Sequence, residues 1–159
     1  MASPVFVPAV FYKDPLAALK WLERAFGFET ISLVTDAEGN VGHSEMSFLD
    51  GHVQVGGEWQ SPELVGPARM RSPASVEGIN TQFIRIHMDA GLDDHCEAAR
   101  AAGARILAEP EDQFYGARVY RAMDPEGHVW NFSQAVSTPS AEEMEARSGL
   151  KIRSSLKEA

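Results

Sequence analysis

Histidines, arginines and carboxylates are the residues that could do chemistry here. His43, His52, His87, His95 and His128 are scattered, with no His-x-x-x-His spacing to bring two imidazoles onto one helix face. His43 and Glu45 share one face of a predicted strand, a spacing that suits an acid–base pair or two ligands of a partial metal site. His52 and His128 each follow a glycine, Gly51 and Gly127, and this matched placement predicts a role at strand entry. His95 falls in the first turn of a predicted helix, where solvent is expected. Arg85 and His87 alternate with Ile84, Ile86 and Met88, so they project from the face opposite the apolar side chains. An imidazole there can take or give a proton near neutral pH, and a guanidinium can grip a carboxylate or enolate at two points. The single cysteine, Cys96, lies on an apolar helical stripe and reads as an inert core thiol. There is no phosphate-binding glycine loop and no serine elbow of the hydrolase type.

The elements that must position these residues read as a repeat. Arg24-Ala25-Phe26-Gly27-Phe28 is echoed by Arg100-Ala101-Ala102-Gly103-Ala104, and Gly51-His52-Val53 by Gly127-His128-Val129, both 76 positions later. Each copy runs strand, helix and three strands. In the first, Val5 to Tyr12 is a strand by propensity, and Asp14-Pro15 starts a helix. Leu19, Leu22 and Phe26 form its buried stripe and Gly27 ends it. Strands follow at Glu29 to Thr35, His43 to Phe48 and His52 to Val55. In the second, Phe83 to Met88 is a strand, Asp93 or Asp94 caps a helix closed by Gly103, and the last strands are Arg105 to Ala108, Ala117 to Met123 and His128 to Ser133. The expected organisation is a first module over 1–58, a Pro- and Gly-rich linker over 59–81, a second module over 82–136, and a polar appendage over 137–159 in which Pro139-Ser140 starts a short helix. Helices covering one face of each sheet would leave the other two faces to curl together around a cleft, with Trp59, Phe114 and Tyr115 in segments able to fold over its mouth.

Composition bounds the partners. The chain has 159 residues, one domain's worth, with 14 basic against 23 acidic residues and net charge −9. That excess of acid argues against a general nucleic-acid binder. No apolar run approaches the length of a membrane span, and nothing in Met1 to Pro8 resembles a secretion signal. One cysteine permits no intrachain disulfide or Cys-rich zinc site, which favours a reducing cytoplasm.

Two stretches carry a family resemblance. Val7-Pro8-Ala9-Val10-Phe11-Tyr12-Lys13-Asp14 through Phe26-Gly27-Phe28-Glu29, and Tyr115 to Tyr120 with Asp124-Pro125-Glu126-Gly127-His128-Val129-Trp130-Asn131-Phe132, resemble the opening and closing elements of vicinal-oxygen-chelate proteins. That superfamily contains glyoxalase I, bleomycin-resistance proteins and extradiol dioxygenases. The resemblance implies an α+β fold of two tandem βαβββ modules forming a cupped mixed sheet with a central cleft, usually in a homodimer. It also implies a divalent metal held from the first and last strands of each module. Carried over residue by residue, those positions fall on Pro8, Phe83, Val55 and Asn131, of which only Asn131 offers a donor. A register shift of one residue would substitute Gln54 for Val55 and Gln82 for Phe83; the alternation around Ile84, Ile86 and Met88 supports the unshifted register. By the same carry-over Tyr12, Val55, Arg121, Met123 and Asn131 line the cleft beside Arg85 and His87. The expected function is binding of a small molecule, without the usual metal or any other cofactor. The alternative is a glyoxalase-type lyase, isomerase or dioxygenase using either His87 as base or one divalent metal on an unusual set, His43, Glu45, His87 and His128.

Overall fold

The computed structural model describes residues 3–157; residues 1–2 and 158–159, the outer ends of the first module and of the appendage, lie outside the described residues. The first module is β1 (Ala9–Tyr12), α1 (Pro15–Phe26), β2 (Glu29–Thr35), β3 (Val41–Phe48) and β4 (Gly51–Gly57). Asp14 caps α1 by accepting the Ala17 amide, and Pro15 occupies a position where no amide proton is needed. Gly27 ends the helix at φ 71°, a conformation that a side chain would strain. The strands pair in the order β1-β4-β3-β2, with β1 parallel to β4 and the rest antiparallel.

The segment between modules carries a small hairpin, β5 (Trp59–Gln60) with β6 (Arg69–Met70), around one turn of helix, α2 (Pro62–Val65). The second module repeats the plan with β7 (Ile84–Met88), α3 (Leu92–Ala101), β8 (Arg105–Asp112), β9 (Ala117–Met123) and β10 (Val129–Ala135), paired as β7-β10-β9-β8. Helix α3 starts two or three residues earlier than its acidic residues suggested. Gly91 holds the cap position in a left-handed conformation, and Asp93 and Asp94 sit inside the first turn, where carboxylates favour the dipole. The appendage forms α4 (Ala141–Ser148), begun by a capping box between Ser140 and Glu143. Among the described residues no helix is long and apolar enough to cross a membrane.

One hydrophobic core serves both modules. Val10, Tyr12, Met46, Val53 and Val55 of the first sheet join Tyr120, Ala122, Trp130 and Phe132 of the second, together with the inner stripes of both helices. Phe28 packs on Trp130, Phe48 on Phe132, and the Trp21 indole donates to the Ala102 carbonyl. Cys96 is fully buried among these residues, and burial pushes its thiol pKa up, as an inert core cysteine requires. The helix-bearing sides of the two sheets therefore share a core, and their other sides point away from it. A groove of about 260 Å³ does run between the modules, where the edge of β7 meets Phe28, Phe48 and His52.

Candidate functional site

Strand alternation divides each sheet into a core side and an open side. In the second sheet the core side takes Ile84, Ile86, Trp130, Phe132, Tyr120 and Ala122. The open side takes Arg85, His87, Asn131, Arg121 and Met123. Register makes this a row: Asn131 of β10 lies opposite Arg85 of β7 on one flank and opposite Arg121 of β9 on the other. His87 pairs in the next row with Ser133, and Met123 with Val129. The Arg85 guanidinium lies over the Tyr115 ring, 5.5 Å from its centre, and reaches Ser133 Oγ at 3.5 Å; Phe114 packs edge-on against Tyr115. Asn131 is 5% exposed, and its Oδ1 is fully buried with no hydrogen-bond partner.

Gly116 sets the position of that aromatic pair. Its φ is 88°, its carbonyl accepts from Val136 and Ser137, and a Cβ would collide with the Ser137 carbonyl and the Pro139 ring. Only glycine lets the 113–116 turn lie this close to the chain leaving β10.

In the first sheet the expected lining is displaced by one residue. Tyr12 and Val55 are 1% and 0% exposed and belong to the core side. The open side carries Phe11, His43, Glu45, His52 and Gln54, because Ala9 pairs with Gln54 and Glu45 also pairs with Gln54. Tyr12 is the counterpart of Met88 at the unshifted 76-residue offset and packs on the core as Met88 does; for Val55 the reason lies in the hairpins. Phe48 pairs with Gly51, so two residues turn the first hairpin, whereas Met123 pairs with Val129 and five residues turn the second. The 76-residue offset that relates Ala9 to Arg85 therefore becomes 77 in the last strand, and the counterpart of Asn131 is Gln54. The matched Gly-His-Val echo conceals this shift; counting turn residues is the signal that would have exposed it.

Gln54 Nε2 donates to His43 Nδ1 at 2.8 Å, and His52 Nδ1 donates to Glu45 at 2.6 Å. Trp59 stands edge-on to Phe11 at 6.5 Å. Together with Leu64 of α2, Phe11, His43, Gln54 and Trp59 line a cavity of about 400 Å³ on this face.

The remaining histidines are structural. His128 does not mirror His52: it lies in the longer turn, buried, donating from Nε2 to the Phe11 carbonyl and packing on Tyr12. His95 is not solvated. Its Nε2 donates to the Phe26 carbonyl at 2.8 Å, and the Tyr120 hydroxyl donates to its Nδ1 at 2.6 Å. Desolvation lowers its pKa below the ordinary 6.5, and burial pushes that of Tyr120 up. Asp124 is the hub of the longer turn. It accepts from Tyr12, from the Trp130 indole and from the amides of Glu126 and His128. Burial and this carboxylate raise the Tyr12 pKa well above 10.0.

The cation that the resemblance implies does not fit these donors. Pro8 and Phe83 have none, Gln54 is engaged by His43, and Asn131 is neutral and flanked by two guanidinium groups that repel a cation. Nor does the unusual set assemble within the chain: His43 and Glu45 lie on one sheet, His87 on the other, and His128 is committed to Phe11. Among the described residues the ligand atoms of Cys96, Glu97 and Glu109 do cluster, but the Arg100 guanidinium already bonds both carboxylates there.

Comparison with known proteins agrees with the architecture. The profile described as the Glyoxalase/Bleomycin resistance protein/Dioxygenase superfamily matches residues 6–132. An uncharacterized protein of Mycobacterium bovis is 26% identical over 145 residues, covering 91% of each chain. The crystal structure of TioX from Micromonospora sp. ML1 superposes with a TM-score of 0.62 at 27% identity, covering 84% of this chain and 100% of that one. The fosfomycin resistance protein FosX of Listeria monocytogenes, solved with Mn(II) and sulfate, shares the fold at 14% identity and a TM-score of 0.56, over 92% and 98% of the two chains. With the matched span running from ahead of β1 into β10, the chain belongs to the glyoxalase/bleomycin resistance protein/dioxygenase superfamily.

Proposed function

We propose that this protein binds a small organic molecule on the open sheet faces, without a divalent metal. The first face supplies apolar and aromatic wall through Phe11, Trp59 and Leu64. The second supplies orientation through Arg85, His87 and Asn131, with Arg121 and Met123 completing the lining. Because the two faces of one chain point apart, two copies associate as a homodimer so that the first face of one meets the second face of the other. The observation that carries this reading is that both faces escape the core yet are roofed by aromatic side chains from neighbouring segments, Trp59 over Phe11 and Tyr115 over Arg85. Such walls suit a ligand with an apolar or aromatic body, and binding would draw on roughly 25 cal/mol per Å² of apolar area before ordering costs.

The test is a thermal-shift screen of small aromatic compounds followed by tryptophan fluorescence. Trp21 and Trp130 are buried in the core and Trp59 is 37% exposed, so a ligand in the site changes the Trp59 signal. The expected result is a saturable change that Trp59→Phe abolishes, in a protein that sediments as a dimer. A stabilising ligand that leaves Trp59 silent and binds Trp59→Ala as tightly as the parent would contradict the reading, and so would one divalent metal per chain held by side chains of the open faces.

A further inference from the structure

We infer that the row Arg85–Asn131–Arg121 is an oxyanion subsite, selecting a ligand that carries a carboxylate or similar anionic group next to a hydroxyl. The inference rests on the open-face reading above and adds to it the chemical class of the ligand. Three observations carry it.

The first is charge. The chain has 23 carboxylate side chains against 14 lysines and arginines. Arg100 and Arg118 each hold two carboxylates within 3.3 Å. Among the described residues neither Arg85 nor Arg121 has a carboxylate within salt-bridge distance, although both stand on the same sheet face, and Arg105, one row away opposite Met123, has none either. Three unneutralised guanidinium groups on one face of an acidic protein form a local positive field.

The second is geometry. Neighbouring strands lie about 4.8 Å apart, so residues in one cross-strand row present their side chains side by side. Two guanidinium groups on either flank of an amide place several N–H donors along one row, the kind of set that can hold one oxyanion.

The third is the Asn131 carbonyl. A buried acceptor without a partner costs about 1–3 kcal/mol, and this one lies between the two arginines. An anion alone leaves it unmatched. A hydroxyl adjacent to the anionic group supplies the missing donor. Charge and orphaned carbonyl together specify a 2-hydroxy acid pattern, with the hydroxyl's proton on Asn131 Oδ1 and the anionic oxygens on the guanidinium groups.

Mandelate combines that pattern with an aromatic ring, and calorimetric titration of the full chain with four probes tests the inference. Mandelate is expected to bind more tightly than phenylacetate, which lacks the hydroxyl, and more tightly than methyl mandelate, which lacks the charge. Inorganic phosphate separates a general oxyanion site, where it competes with mandelate, from a carboxylate-selective one, where it does not; either result supports the subsite. Arg85→Gln and Arg121→Gln, both at exposed positions that leave the core intact, should each weaken mandelate about tenfold. Asn131→Asp, which places a carboxylate between the guanidinium groups, should abolish anion binding while the protein remains folded by circular dichroism. Methyl mandelate binding as well as mandelate, with a Trp59 response, would overturn the subsite and leave the open-face reading standing. Mandelate binding that both arginine variants retain at full strength would also overturn it. Anion binding lost in the arginine variants but without any Trp59 response would keep the subsite and remove the shared aromatic site.

Discussion

In the first module Leu49 and Asp50 alone join the last two strands; in the second the same connection spends the five residues from Asp124 to His128. The short turn is exposed and strained, with Leu49 at φ 53°. The long one is anchored by buried Asp124 and His128, the Asp124 carboxylate bonding Tyr12 of the other module. The consequence reaches the open faces. The short hairpin brings Gln54 outward beside His43 under an aromatic roof, while the long one brings Asn131 outward between two arginines. One repeated plan thus yields a face of histidine, glutamate and amide groups beside an aromatic wall and a face rich in arginine, and the difference follows from the extra turn residues and from which side chains sit in the rows.

That contrast can be broken at several points. Asp124→Ala leaves the Tyr12 hydroxyl, the Trp130 indole and two turn amides without their acceptor, so a loss of about 3 kcal/mol or more is expected in urea denaturation, whereas Asp50→Ala in the exposed turn should stay within about 0.5 kcal/mol. Equal effects would mean that the two turns are energetically alike. Gly116→Ala should cost about 1–3 kcal/mol and release Tyr115 from Arg85, read as a loss of stability together with a changed tyrosine environment in near-ultraviolet circular dichroism.

Acid provides a gentler probe. Burial holds His95 neutral and its pKa below the ordinary 6.5, so its contribution to stability is complete above about pH 6.5 and is lost as pH falls through the lowered value. Melting temperature should therefore decline on acidification below that point, and His95→Gln, which cannot titrate, should flatten this part of the profile. The smallest effect is a gain. Leu49→Gly relieves a left-handed non-glycine residue and should stabilise the first hairpin by up to about 1 kcal/mol in the same denaturation assay.

Much of this was legible in the sequence. Asp14-Pro15 and Gly27 bounded α1 through local chemistry, and the alternation of Ile84, Ile86 and Met88 placed Arg85 and His87 on the open side. What failed was inherited from the repeat. Treating Gly51-His52-Val53 and Gly127-His128-Val129 as equivalent ignored the turn lengths, and an error of one residue in a strand exchanges its faces, sending Val55 to the core. Tyr12 failed separately: matching Pro8 with Phe83 slipped the first strand by one residue, whereas its true counterpart Met88 also packs on the core. His95 misled for another reason. A first-turn histidine is exposed on an isolated helix, and only the docking of the first module, through Phe26, encloses it. The relative placement of the two sheets is a tertiary fact with no local signature.

The claim on which the account turns is that ligand meets the open faces and not the core sides. Side-chain and backbone chemical-shift mapping on isotopically labelled protein, titrated with the strongest hit from the aromatic screen, measures this directly. The account predicts that the shifts gather on Phe11, His43, Gln54 and Trp59 and on Arg85, Arg121 and Asn131. Shifts confined to Tyr12, Val55 and the packed sides of α1 and α3, with the Asn131 amide unmoved at saturation, would contradict it.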